Sequence, residues 1–387
     1  MDTAFRDKIK GLVRKARALE TEHKDRIHAG RARHEASWRM EKPDRIPVSL
    51  SVDPVWSDWY YKRKYGIKIG RLWDDPMLLV ECELRAWIDS FLDFDDDRTF
   101  VIPDAVGPLG GVFLHPSIVG CRTVFPEDDF PWIDLSHVVF NTKEEIDDFT
   151  TSDIQEAGLM PDILKRLETL DKLIGDIIDV RILGGDGSAL QMAAYTRGIA
   201  QLIKDMYMDP PIVHKLMRKM MDVYDKVNRY YEEVWGTPYR GEAVEGRFYD
   251  NPLSYFSPRL VESFVLPHYR QYAERCGWRN WSFETQDVMD QFVELFKSIP
   301  IRTISSLVSS SDLGLFKSTL GQKRVRFGIF MAPGRMMLDR PGIEGEVKRI
   351  IDVMGRDGGW SISSGVVDRS VSQESIRSFL SAVKDYS

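Results

Sequence analysis

The chain has 387 residues, 43% hydrophobic and 29% charged, with a formal net charge of −7. That balance allows a large core beneath a solvated surface. The acidic sign argues against a general nucleic-acid binder, which shows a basic face. No apolar run reaches the ~18 residues that span a bilayer, so no membrane segment is expected.

Length alone suggests two or three domains, but α/β barrels of this size often form one. Three cysteines, Cys82, Cys121 and Cys276, lack CxxC spacing, and their odd number excludes a full disulfide framework. A reducing, cytoplasmic setting fits best, and no N-terminal run resembles a signal peptide.

Residues 1–41 read as a polar N-terminal helical extension, and 42–387 as the main unit. The basic stretch RDKIKGLVRKARALETEHKDRIHAGRARHEASWRM mixes signs at helical spacing and predicts a solvated helix or arm. Pro43 and Pro47 then bracket a β-branched run that ends at Asp53. DPVWSDWYYKRKYG is strongly aromatic, and DPMLLVECELRAWIDSFLDF predicts a helix. RTFVIPDAVGPLGGVFLHPSIVG reads as a strand followed by Gly/Pro-rich loops or hairpins. DIIDVRILGGDGS is a strand broken by glycines. A long helical region follows, interrupted at Pro210–Pro211. GEAVEGRFYDNP predicts a strand and SPRLVESFVLPHYRQYAERCG a capped helix. Four more strands follow in GWRNWSF, IRTISSLV, RVRFGIF and GWSISSG.

Eight strands are thus expected, starting near Ile46, Thr99, Val180, Glu242, Gly277, Arg302, Arg324 and Gly359. Single strands alternating with helices argue for a parallel sheet with crossover helices, and eight such units for a closed (β/α)8 TIM barrel. An open doubly wound sheet is the rival, but GGDGSALQ lacks GxGxxG or P-loop spacing.

In such a barrel, reactive groups sit where strands end. That rule selects Asp53, Asp104 or His115, Asp186, Ser188, Glu245, Asp250, Asn280, Ser282, Glu284, Ser309, Ser310, Asp312, Met331 and Ser363. Plainer roles compete: Asp53 as a helix cap, Asp186 and Asp250 as turn carboxylates, Ser257 as the cap of a Pro-led helix. The aromatic cluster Trp56, Trp59, Tyr60 and Tyr61 is either helix packing or a wall for a flat hydrophobic ligand. No GxSxG elbow supports a serine hydrolase.

The order of several segments resembles the uroporphyrinogen decarboxylase-like barrels. These are EKPDRIPV, GGDGSALQMAAYTRGIAQLIKDMYMDPPIVHKLM, DNPLSYFSPRLVESFVLPHYRQYAERCG and DLGLFKSTLGQKRVRFGIFMAP. The likeness runs from about residue 42 to the end. True decarboxylases of that family carry an arginine-rich RQAGR after the first strand; DPVWSDWYYKRKYG stands here instead. The thiol-methylating members hold zinc with His-x-Cys after strand five and a cysteine after strand eight. This chain has Asn280-Trp281-Ser282 and Val366 there, so those zinc ligands are absent.

The resemblance therefore implies the corrinoid-dependent methyltransferase branch, and within it aryl methyl ether O-demethylases. It implies a corrinoid (cobalamin) carried by a separate protein, a small aromatic substrate, and compatibility with a homodimer. On this reading Glu245, Asp250 and Glu284 are the catalytic candidates. Asp53, Trp56, Trp59, Tyr60, Asp186, Asn280, Ser282 and Met331 are expected to bind substrate. A zinc or harder ion would draw on His115, Glu245 and Glu284. A uroporphyrinogen-type decarboxylase, or transfer from another small methyl donor, is the alternative.

Overall fold

The computed structural model describes residues 2–387 apart from 53–56, 152, 185–186, 237–239, 242–243, 285–286, 322–323 and 368. Its strands are β1 Val48–Ser51, β2 Ala105–Val106, β3 Thr123–Val124, β4 Trp132–Ile133 and β5 Asp179–Val180, then β6 Glu245–Tyr249, β7 Asn280–Glu284, β8 Ile301–Val308, β9 Arg326–Phe330 and β10 Trp360–Val366. The fold is a (β/α)8 TIM barrel. β3 and β4 form a separate antiparallel hairpin, Thr123 opposite Ile133. The second barrel strand begins at Ala105, not near Thr99, and is two residues long.

The ladder is not continuous. β6, β7, β8, β9, β10 and β1 form one parallel six-stranded sheet, and β2 pairs with β5 on the far side. Among the described residues no ladder joins β1 to β2 or β5 to β6. Side chains bridge both seams. Along β1 the Val48 and Leu50 amides donate to the carboxylates of Asp97 and Asp96, at 2.9 and 3.2 Å. The Asp97 amide returns a bond to Val48 O at 2.8 Å. The run FDDDR thus stands in for a neighbouring strand and satisfies amides that would otherwise be buried unpaired.

Helices Asp2–Glu22 and Lys24–Trp38 occupy the N-terminal region. The expected solvated arm is corrected: Phe5, Ile9, Val13 and Ala16 are buried against Val80, Leu84 and Ile88. One helical face is apolar, and the mixed charges lie on the others. Ser37 Oγ donates to Trp360 O at 3.0 Å, which ties this region to the first residue of β10. The long central region divides into Ala189–Arg197, Ile199–Met208 and Pro210–Trp235. The single helix expected after β6 is two, Pro258–Phe264 and Leu266–Cys276, with the break just before Pro267. Ser257 caps the first, accepting from Leu260 N.

Candidate functional site

Strand alternation decides what enters the barrel. Phe248 stacks on Tyr269 with centroids 4.1 Å apart, and Phe283 meets Phe296 at 5.2 Å. Both partners lie on surrounding helices, so Arg247, Tyr249 and Glu284 project to the other side. They line a cavity of about 250 Å³ at the C-terminal ends of the strands. Ser51 of β1, Ser306 of β8, Phe330 of β9 and Ser363, Gly365 and Val366 of β10 complete it with Pro333.

The charged centre is an Arg247–Glu284 pair. Arg247 Nε donates to Glu284 Oε2 at 3.0 Å, and Nη2 donates to the same oxygen. Ser306 Oγ donates to Oε1 at 3.3 Å. The guanidinium stays half-exposed, so a ligand anion can reach it. Gly365 sits at φ +65°, and a Cβ there would come within 2.9 Å of the Phe330 ring and 3.0 Å of Met331 O. Glycine therefore lets β10 close on β9 at the cavity wall.

Behind this wall lies Asp250, fully buried. It accepts from Tyr269 Oη at 2.9 Å on both oxygens, and from Ser188 Oγ. Ser188 also caps the helix Ala189–Arg197, accepting from Gln191 N at 2.9 Å. Asp250 thus clips the loop after β6 to the helix after β5, across the second seam. Burial raises its pKa from 3.8 to about 6, against the opposing hydrogen bonds from Ser188 and Tyr269.

Because the folded pKa lies above the unfolded one, the native state holds the extra proton between roughly pH 4 and pH 6. Stability contributed by Asp250 therefore falls as pH rises through that window, by about 3 kcal/mol at 1.36 kcal/mol per pKa unit. Asp250→Asn is expected to remove this slope. Urea unfolding of both proteins between pH 4 and pH 7 measures it; parallel pH profiles would refute the assignment.

A family model described as uroporphyrinogen decarboxylase (URO-D) matches residues 31–386. The chain belongs to the URO-D family. No curated protein matches the sequence significantly. The URO-D barrel is similar to a methyltransferase from Methanosarcina mazei, with TM-score 0.60 and 12% sequence identity, covering 92% of this chain and 98% of that chain. At that identity the likeness is one of fold.

The URO-D barrel gathers only part of the expected site. Glu284 lines the cavity, and Asp250 supports its wall. Glu245 does not join them: it opens β6, level with Asn280 of β7. At ~3.3 Å per residue, four residues place it about 13 Å below Tyr249 and the mouth. Its attractor there is Arg326, at the start of β9, whose pKa burial pushes down to about 10. Asn280 therefore also lies at the wrong end of its strand, and Ser282 is buried in mid-strand.

The aromatic expectation is corrected as well. Trp59 and Tyr60 are each 1% exposed and belong to the core. Their polar atoms are spent, Trp59 Nε1 on Val371 O at 3.1 Å and Tyr60 Oη on Asp93 at 3.1 Å. Neither ring is offered to a ligand at the mouth. Met331 is fully buried beside β9. Asp53, Trp56 and Asp186 lie outside the described residues.

His115 is buried, and its Nδ1–H donates to Gly187 O at 3.2 Å, bracing the residue before Ser188. The donors named for a metal, His115, Glu245 and Glu284, fall in three different places. Among the described residues no group of three His, Cys, Asp or Glu could hold an ion. No helix among them is long and apolar enough to cross a membrane.

Arg247, Tyr249, Ser51, Ser306 and Phe330 were missed. Arg247 had a usable signal: in EGRFY a charged residue alternates with buried ones inside a barrel strand.

Proposed function

We propose that this URO-D family chain is an enzyme, a methyltransferase. It takes the methyl group of a methoxylated aromatic acid and delivers it to the Co(I) of a corrinoid on a separate protein. The observation that carries this reading is the combination at the mouth of a half-exposed Arg247, held by Glu284, with the rings of Tyr249 and Phe330. A planar guanidinium suits a carboxylate, and the two rings suit one aromatic ring. A cavity of about 250 Å³ fits a single ring, below the usual range for larger ligands and far from a tetrapyrrole.

The donor's methyl–oxygen bond breaks, and its electron pair leaves on the phenol oxygen. The corrinoid supplies the electron pair for the new bond to carbon. The hydroxyl of Ser363 stands at the cavity wall to donate to that oxygen as charge grows there. Exposed Tyr255, Val288 and Met337 follow β6, β7 and β9, and exposed Val366 ends β10, giving the rim an apolar surface for the corrinoid protein.

The test is anaerobic incubation with methoxybenzoates and a reduced corrinoid protein. Conversion to the methylated corrinoid is expected in the absorption spectrum. Silence across a series of methoxyaromatics overturns the proposal, and carbon dioxide release from uroporphyrinogen would favour the decarboxylase.

A further inference from the structure

The lumen is polar where barrels of this kind are filled by Val, Ile and Leu. Across β6, β7, β8 and β9, residues Arg247, Ser282, Thr303 and Arg326 stand in register. In-register residues of a parallel sheet share a face, and the face repeats every second residue. Here it is the inner one, because Arg247, Glu284 and Phe330 line the mouth cavity from the same face of β6, β7 and β9. Arg326 Nη2 donates to Ser361 Oγ at 2.8 Å, which carries the belt on to β10. Glu245, two residues before Arg247, opens β6 on the same side.

The belt lies deep. Thr303 is fully buried, and Ser282, Arg326 and Ser361 are buried with it. Buried polar atoms need partners. Arg326 has Ser361 and also Ser37, whose Oγ accepts from Nε at 3.3 Å. Thr303 Oγ1 and Glu245 Oε1 are buried and have no partner among the described residues. Burial disfavours the Arg326 cation and the Glu245 charge supports it, yet no direct ion pair joins the two among those residues. A space bordered by both signs of charge and by hydroxyls suits neither a lone cation nor a lone anion. It suits a small neutral molecule that both donates and accepts. Water takes about 2–4 such partners, and it bridges polar groups that stand too far apart to touch.

We propose that this belt is an internal hydration site, where ordered water bridges Glu245, Thr303 and Arg326 beneath the mouth cavity. The water supplies Thr303 Oγ1 and Glu245 Oε1 with their partners. It also relays the attraction between the start of β6 and the start of β9 across the lumen. The site is independent of which donor the mouth cavity takes.

Thr303→Val tests this by the sign of its effect, since the two side chains have nearly the same shape. With water on the hydroxyl, valine leaves that water short of a partner, and Tm is expected to fall by about 2–4 °C. In a dry lumen, valine removes an unpaired buried hydroxyl and Tm rises. A high-resolution crystal structure of the full chain is expected to show water bonded to Glu245 Oε1 and Thr303 Oγ1. Magnetic relaxation dispersion of water checks the site in solution, with fewer long-lived internal waters expected in Thr303→Val. A Tm equal to or above that of the parent overturns the proposal. So does a lumen without density bridging Glu245 and Thr303, or an unchanged number of long-lived waters in the variant. Arg247→Ala, nearer the mouth, is expected to leave the bridging water in place.

Discussion

Arg247→Ala is expected to raise the KM for a methoxybenzoate by 10- to 100-fold, while a neutral methoxybenzene is nearly unaffected. The size follows from losing a hydrogen-bonded charge pair with the substrate carboxylate, about 1.5–3 kcal/mol, at 1.36 kcal/mol per decade. Arg247→Lys keeps the charge and loses the planar fork, so it should recover only part of the effect. Glu284→Gln tests the holder: Arg247 loses its charged partner at 3.0 Å and keeps only a neutral acceptor. Its effect should also be selective for carboxylated donors, and smaller. The readout is the initial rate of corrinoid methylation against donor concentration. Equal losses for charged and neutral donors would place Arg247 in the transfer step or the fold, and remove it from recognition.

Most of the architecture was legible because strand–helix alternation is a long-range pattern that local errors do not erase. The last five barrel strands are recognisable from short β-branched runs such as IRTISSLV and RVRFGIF. The second strand was misplaced because its neighbour uses side chains where a ladder is expected. The acids of FDDDR look like surface charge in sequence, yet Asp96 and Asp97 are each 2% exposed. No periodicity signals a carboxylate that replaces a backbone acceptor.

The site was less legible, for a different reason. Locating a strand to within three residues identifies the element, but the two ends of a five-residue strand lie about 13 Å apart. Glu245 and Tyr249 bound one strand and belong to opposite ends of the barrel. A shift of one residue also exchanges inside for outside, which is why Trp281 and Phe283 pack outward while Glu284 lines the cavity. The aromatic run after β1 misled because composition does not distinguish rings facing a ligand from rings filling a core. Trp59 and Tyr60 are contacted by Phe94 and Tyr65 and point their polar atoms at the chain itself.

The first seam provides the largest expected loss of stability. Asp97 accepts from Arg33 Nη1 at 2.8 Å and from Arg45 Nη1 and Nη2 at 2.6 and 2.7 Å, besides the Val48 amide. Helix Lys24–Trp38 presses on the same point: a Cβ at Gly30 would lie 2.6 Å from Asp97 O. One carboxylate therefore joins the N-terminal helix, the approach to β1 and β1 itself. Asp97→Ala would strand the partly buried Arg45 guanidinium and a strand amide, and leave Arg33 with Asp44 alone, a loss of about 3–5 kcal/mol. Asp97→Asn keeps the shape and an acceptor for Val48, so its loss should be smaller. Urea unfolding measures both, and an unchanged m-value would show that the denatured state is not the cause. The seam argument also predicts coupling. Removing Arg45 together with Asp97 leaves one fewer unpaired cation, so the double variant should be more stable than the sum of the single losses by about 1 kcal/mol or more. Simple additivity, or a loss below 1 kcal/mol in Asp97→Ala, would mean that β1 is held by its ladder to β10 alone and that the acidic run is surface decoration.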